Sequence, residues 1–292
     1  MERVHHKPAL LASWLIWRCR GLLGQLSRGG ESMTDHIHVK ISGAVATVTL
    51  RRPELHNALD EQMVGNLAQT FQKLSVAEAV RVVVIEGQGP SFCAGGDIGW
   101  TRAMLDQDAE EVSRSAMQMA VMLDAIDRCA KPVIARVQGA ALGMGAGIVS
   151  VADMVVAADD SSFSLPEVRA GFPPTLIMPY LAAAMGTRAM RRYVLSGERF
   201  DAREALRLGL IHAVVAGDKL DSARDLMVES CLKGAPKAQG AAKDMLRVVD
   251  DSPAGPDLMR YTVAQFVDAR AGAECREGVL ALTEKRKPNW SV

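Results

Sequence analysis

The sequence predicts an α/β domain whose front half alternates strands with helices and whose back half is almost wholly helical. Three short β-branched or apolar runs, Val82–Ile85, Pro132–Val137 and Met154–Ala157, read as strands covered on both faces. Glycine-rich turns and helical periodicity lie between them, and from Pro174 onward the apolar spacing is helical. The chain has 292 residues, 49% hydrophobic and 23% charged, enough for one large core or two small ones. No long linker, low-complexity tract or clear repeat divides it, so a core over 33–225 with a helical region over 226–292 is expected.

Residues 1–32 stand apart. Arg3, Lys7, Arg18, Arg20 and Arg28 outweigh Glu2 and Glu31, and the apolar run Ala9–Trp17 is far shorter than the roughly 20 residues a membrane helix needs. No clean small-x-small cleavage site follows it. The segment reads as an extension with little order, with Met33 as the expected start of translation. Ile37–Ile41 and Val45–Leu50 then form a hairpin about Ser42-Gly43. Asp60 caps a helix whose apolar positions are Met63, Leu67, Phe71 and Leu74. After the strand Val82–Ile85 comes a loop from Gly87 to Gly99, then a helix from Asp108 to Arg128. Its methionines 117, 119 and 122 are expected to fill the core. Behind the strand Pro132–Val137, the uncharged run from Gly139 to Ala152 suits a turn and a helix packed inside the domain; it is too short to cross a bilayer. The remaining helices are expected near 175–185, 187–196, 202–208, 218–233, 236–249, 257–271 and 274–286.

Composition excludes several classes. Lys+Arg and Asp+Glu both number 34, so the net charge is zero; no basic stripe marks a nucleic-acid binder, and neutrality favours self-association. The five cysteines, 19, 93, 129, 231 and 275, form no C-x-x-C pair. That spacing points away from zinc and from a disulfide framework, and towards reduced thiols in the cytoplasm. His36 and His38 lie together on a strand with no third ligand in view, so a solvated face is expected and no metal.

Two glycine-bearing loops each follow a buried strand: Ser91-Phe92-Cys93-Ala94-Gly95-Gly96-Asp97-Ile98 and Gly139-Ala140-Ala141-Leu142-Gly143-Met144-Gly145-Ala146-Gly147. Glycine permits unusual dihedrals and close backbone approach. Amides at a helix start are unpaired and sit at its positive end. Two such loops brought together can aim two N–H groups at one oxygen, which is an oxyanion hole. Gly143-x-Gly145-x-Gly147 alone also resembles a dinucleotide-binding turn, but the G-x-G-x-x-G spacing is missing. A nucleotide-dependent dehydrogenase is the reading it would support. Neither a P-loop nor a G-x-S-x-G elbow occurs.

Phe92-Cys93-Ala94-Gly95-Gly96-Asp97-Ile98 resembles the first loop of the crotonase (enoyl-CoA hydratase/isomerase) family, and Lys131–Ala135 with Ala141–Gly145 resembles its second. Arg52-Pro53 followed by Asn57-Ala58-Leu59, then Leu165-Pro166-Glu167, Ser196-Gly197-Glu198, Ala202, Ala205 and Leu208-Gly209-Leu210 match further motifs of that family in order. The resemblance runs from about residue 36 to the end. It implies a crotonase-like core of repeated ββα units, C-terminal helices that build a homotrimer or homohexamer, and an acyl-CoA substrate with no further cofactor. By position, the backbone N–H groups of Gly96 and Met144 would hold the thioester oxygen and Glu167 would move the proton. Ala58, Ala94, Gly95, Asp97 and Ile98 would contact the CoA nucleotide or its pantetheine arm.

One departure matters. Hydratases of the family carry a second catalytic glutamate where this chain has Gly147. Some relatives that lack it resemble hydratases of branched glutaconyl-CoA thioesters, of the methylglutaconyl or isohexenylglutaconyl type. The run from Pro166 to Tyr180, with Arg191-Arg192-Tyr193 and Ser196–Phe200, follows their pattern. The expectation is therefore hydration of a 2-enoyl-CoA with a branched acyl chain, glutaconyl-type carboxylated chains included. The alternatives are double-bond isomerisation by Glu167 alone and a non-catalytic acyl-CoA-binding homologue. Asp97 is expected to brace its loop through nearby amides. Cys93, with no base partner in sequence, is expected to be structural. Arg169 is open to a substrate carboxylate or to a surface acid.

Overall fold

The computed structural model describes the backbone of residues 31–34 and, in full, residues 36–291. Residues 1–30, the greater part of the expected extension, lie outside the described residues, whereas Glu31 and Ser32 fall in the first strand, β1 (Glu31–Thr34). β1 pairs antiparallel with β2 (Ile37–Ser42), and β2 forms the expected hairpin with β3 (Val45–Leu50). Alternation sends Ile37, Val39 and Ile41 of β2 and Ala46, Val48 and Leu50 of β3 into one core. Helix α1 (Glu61–Val76) starts where the Asp60 carboxylate accepts from the Met63 amide at 2.8 Å, and Met63, Leu67, Phe71 and Leu74 are all fully buried. Each such side chain contributes about 1.5–3 kcal/mol of burial.

β4 (Val82–Gly87) lies parallel to β3. The loop after it contains a short helix, α2 (Ile98–Ala103), capped by Asp97. α3 (Ala109–Asp127) opens on a reciprocal cap between Asp108 and Glu111 and buries Met122, Leu123 and Ile126. Its Met119 packs against the core, but Met117 is 63% exposed, because it sits on the solvent face of the helix rather than in the core as expected. β5 (Val133–Val137) pairs parallel to β4. The turn and helix expected after it prove to be a short strand, β6 (Ala140–Leu142), and α4 (Met144–Val151). β7 (Met154–Ala158) then pairs with β5, and β8 (Ser162–Ser164) pairs with β6.

In the back half, α5 (Met178–Ser196) joins the two helices expected there across a break at Gly186, whose φ is +75°. Two strands interrupt what was expected to be helix alone: β9 (Phe200–Asp201) before α6 (Ala202–Leu208), and β10 (Ala213–Val215) before α7 (Leu220–Leu232). α8 (Pro236–Asp251), α9 (Pro256–Ala271) and α10 (Ala273–Thr283) complete the chain.

The strands make a seven-stranded sheet in the order β1-β2-β3-β4-β5-β7-β10 and a three-stranded sheet in the order β6-β8-β9. On one face of the large sheet Val83, Ile85 and Ala135 share a core with α1 and α3 residues; on the other, Val82, Val84 and Ile134 meet Val228 and Cys231 of α7. Both faces are covered, which explains why these strands read as unbroken apolar runs. Among the described residues no helix is long and apolar enough to cross a membrane, and no cluster of acids, histidines or cysteines is placed to hold a metal ion.

Candidate active site

The small sheet extends beyond its own strands. Cys93 runs parallel to β6: its amide donates to the Ala140 carbonyl at 3.0 Å, and the Leu142 amide donates to its carbonyl at 2.9 Å. On the far side, Gly96 is bridged in parallel to Leu59: the Leu59 amide donates to the Gly95 carbonyl and the Asp97 amide to the Leu59 carbonyl, both at 2.8 Å. The first glycine loop is thus held between residues 57–59 and β6. Gly96 follows Cys93 by the same interval that Met144 follows Ala141, so both residues lie three positions beyond one point where the two loops are bridged. Gly95 marks how near the two loops come. With φ at +98° it has room for no side chain, since an added Cβ would stand 2.8 Å from the Leu142 carbonyl oxygen and 3.7 Å from the Met144 nitrogen.

Among the described residues, neither the Gly96 nor the Met144 amide donates to a backbone carbonyl. For Met144 the reason is local: it is the first residue of α4, where helix amides have no carbonyl behind them. The bend that begins this helix falls on Gly143, at φ +50° and ψ −119°, a backbone region closed to side-chain-bearing residues.

Glu167 stands against that same glycine. It lies on the turn Pro166–Ala170 after β8, and the Gly143 amide donates to the β8 carbonyl of Ser164 at 2.8 Å. A Cβ on Gly143 would be 2.6 Å from Glu167 Oε1, so the carboxylate rests directly on the backbone preceding Met144. Its Oε2 is buried and has no hydrogen-bond partner among the described residues. Burial pushes the Glu167 carboxyl above its ordinary value, and a bond from its own backbone amide offsets this only in part. A half-buried carboxyl with a free oxygen, beside an unpaired helix-start amide, is equipped to take a proton and give it back.

One turn further along α4 the surroundings change. Gly147, whose amide donates to the Gly143 carbonyl at 3.0 Å, presents the same helix face as Gly143. A Cβ there would overlap the Ile177 Cγ2 methyl and lie 3.7 Å from Leu123 Cδ2, both residues being fully buried. The space beside Gly147, where the resemblance drawn from sequence expects hydratases to carry a second carboxylate, is therefore filled by aliphatic carbon.

The remaining expected residues fall around the first loop. Both Asp97 oxygens are engaged within the chain: Oδ1 accepts from the Trp100 amide at 3.1 Å and Oδ2 from Arg52 at 2.9 Å. Burial, the largest single influence, works to raise this carboxyl, but those two bonds, the Arg52 charge and the Gly99 amide together hold it below the usual range. The bracing role expected of Asp97 matches this geometry. Ala58 and Gly95 are buried, Ala94 is half-buried, and Ile98 is 85% exposed at the start of α2. Cys93 is fully buried, and its thiol is pushed up to about 12 by desolvation, the bond to Gly95 opposing it, so it is no nucleophile at neutral pH. Arg169 lies on the surface, donating to the Ser196 carbonyl at 3.2 Å and packing over Gly197. His36 Nδ1 lies 3.1 Å from an Asp60 carboxylate oxygen.

Sequence reasoning missed Asn57 and Ile177. Asn57 was noticed only as part of a motif, and its complete burial at a left-handed φ of 56° depends on residues 88–91 folding over it. Ile177 carries no signal in isolation, since an isoleucine before a proline-bearing helix start is ordinary.

Residues 40–292 match the model of the enoyl-CoA hydratase/isomerase family. A carnitinyl-CoA dehydratase from Proteus mirabilis (strain HI4320) is 32% identical over 267 residues, covering 88% of this chain and 99% of that one. Among solved structures, an enoyl-CoA hydratase from Shewanella pealeana is 34% identical with a TM-score of 0.85, covering 87% of this chain and 96% of its own. AtuE of Pseudomonas aeruginosa is likewise 34% identical with a TM-score of 0.85, covering 88% and 100%. With the match spanning β3 to β10, both glycine-bearing loops and Glu167, this α/β chain has the crotonase fold and belongs to the enoyl-CoA hydratase/isomerase family.

Proposed function

We propose that the chain adds water across the double bond of a 2-enoyl-CoA, with the Gly96 and Met144 amides on the thioester oxygen and Glu167 as the single proton carrier. The observation that carries this reading is the seat of Glu167 on Gly143, which puts the carboxylate next to the Met144 amide. In the proposed sequence, ionised Glu167 takes a proton from water as the water oxygen bonds to the β-carbon. The displaced double-bond electrons move through the α-carbon onto the thioester oxygen, where two N–H donors stabilise the enolate. Each donor is worth about 3 kcal/mol of barrier. Glu167 then returns its proton to the α-carbon, so that H and OH arrive from one reservoir and the carboxylate is regenerated. CoA enters with the substrate, and the proposal needs no further cofactor.

The likeness of the run from Pro166 to Tyr180 to hydratases of branched thioesters favours a branched acyl chain. Glutaconyl-type thioesters, which add a distal carboxylate, form the acidic arm of the same proposal. The single carboxylate also favours the second reading, isomerisation, in which Glu167 shuttles a proton between the α- and γ-carbons. Incubation with straight, branched and carboxylated 2-enoyl and 3-enoyl thioesters separates the two, with Glu167→Ala as control. Formation of a 3-hydroxyacyl product from the 2-enoyl compounds is expected. Turnover of 3-enoyl compounds alone, without hydroxyacyl product, would establish the isomerase. No turnover of either, together with tight CoA-thioester binding, would leave the acyl-CoA-binding role.

We also infer a homotrimer or homohexamer. α8 and α9 bury no residue fully in their own chain, yet they present Leu246, Met259, Val263, Phe266 and Val267, each more than half exposed.

A further inference from the structure

We propose that Asn57 is the positioning residue for the Gly96 amide. This inference rests on the oxyanion-hole reading given above and goes beyond it to what fixes one of the two donors. Gly96 is itself exposed and has no side chain to anchor it. Its place is set by its neighbours and by the segment on which they lie. That segment, residues 52–59, is a compact turn in which two successive non-glycine residues, His56 and Asn57, hold positive φ values of 51° and 56°. Such a backbone is costly and persists only where surrounding bonds demand it.

Asn57 supplies those bonds. It is fully buried, and all of its side-chain polar atoms are used: Oδ1 accepts from the Arg52 amide at 2.9 Å, and Nδ2 donates to the carbonyls of Gln88 at 2.9 Å and Ser91 at 2.8 Å. One end of the side chain therefore closes the 52–57 turn, while the other fastens the entry of the glycine loop. Beside it, the Ala94 amide donates to the His56 carbonyl at 2.9 Å, and Leu59 is bridged to Gly96. Gly87 completes the fit, since a Cβ there would stand 2.8 Å from Asn57 Nδ2. The loop that carries Gly96 is thus tied at 88, 91, 94, 95 and 97 to one short segment. Asn57 joins the segment to the loop entry from full burial, His56 Nδ1 meets Ser91 Oγ beside it, and the part-buried Arg52 joins Ala58 to Asp97 at the loop's far end. Aspartate would keep the Arg52 bond but confront two carbonyl oxygens with a carboxylate. Glycine would keep the left-handed backbone without strain and lose all three bonds.

The test uses the full-length protein, with Asn57→Gly and Asn57→Asp beside wild type. Three readouts are taken: hydrogen exchange of peptides covering 88–97, the red shift of a bound aryl-acryloyl-CoA thioester, which reports polarisation of its carbonyl, and kcat and KM for hydration. Asn57→Gly is expected to remain folded and to exchange faster in 88–97 alone. It should also lose most of the red shift and fall about 10- to 100-fold in kcat, as a misplaced catalytic group does, with KM changed far less. If wild type and Asn57→Gly give the same red shift and the same kcat, Asn57 is only structural and the proposal is overturned while the oxyanion-hole reading stands. If wild type itself gives no red shift, the oxyanion-hole reading fails and the proposal goes with it, whatever the exchange data show.

Discussion

The surroundings of Glu167 and Asp97 push the two carboxyls in opposite directions. Burial raises the Glu167 carboxyl, so its folded value lies above its unfolded value near 4.3. Stability from such a group is fully present at low pH and is lost as pH rises through the folded value. Glu167→Gln is accordingly expected to melt above wild type at pH 8, with the gap closing towards pH 4, while hydration falls about 10²- to 10⁴-fold. Thermal denaturation at several pH values checks this; a variant less stable than wild type at pH 8 would mean that the carboxylate is satisfied in the fold. In wild type, activity should decline on the acid side at a pH above the ordinary glutamate range, because the ionised form starts the reaction. Asp97 has the reverse sign. Burial tends to raise it, but the Trp100 and Gly99 amides and Arg52 together win, so its contribution is present at neutral pH and fades as pH falls through the depressed folded value. At this scale Glu167 was legible because Leu165-Pro166-Glu167 matches a motif of the family. Asn57 and Ile177 were not, since what they do depends on chain segments remote in sequence.

Among the elements, α4 does most to shape the site. Its first amide is offered at Met144, its Gly143 face receives Glu167, and its Gly147 face receives Ile177. The fit at Gly147 makes a sharp prediction. Gly147→Ala adds a methyl where the Ile177 side chain already sits, and overpacking of this kind costs about 1–3 kcal/mol. Ile177→Ala alone opens a cavity and costs about 2–5 kcal/mol. The double variant should be more stable than the sum of the two losses allows, by at least about 1 kcal/mol of coupling. Additive losses in chemical denaturation would show that the two positions do not meet. Elements with long periodic faces were legible in sequence, as α1 shows through Met63, Leu67, Phe71 and Leu74 and the cap at Asp60. The small sheet was not. β6, β8 and β9 are two or three residues long, too short for alternation to register, and the parallel bridges at Cys93 and Leu59 join segments that local sequence cannot connect.

On the scale of the molecule, the C-terminal helices pose the question that a single chain leaves open. α7 earns its place against the sheet through Val228 and Cys231, but α8 and α9 bury nothing fully. α8 is tethered instead by Lys243, which reaches Asp153 at 2.6 Å, and the chain end is held through Arg81, which donates to the Trp290 carbonyl at 2.9 Å. Along α9 the residues Met259, Val263, Phe266 and Val267 are spaced four, three and one apart, which is one stripe of a helix. All four are 57% exposed or more. An apolar stripe facing water on a helix with so little intrachain support is best satisfied by another copy of itself, and the zero net charge of the chain does nothing to oppose that approach. Multi-angle light scattering of wild type is therefore expected to give three or six chain masses. Val263→Asp with Phe266→Asp places two charges in the stripe and should yield smaller species of unchanged helix content and lower melting temperature. Wild type running as a monomer at tens of micromolar would remove the assembly from the proposal. The double variant retaining the full mass would place the interface on another surface.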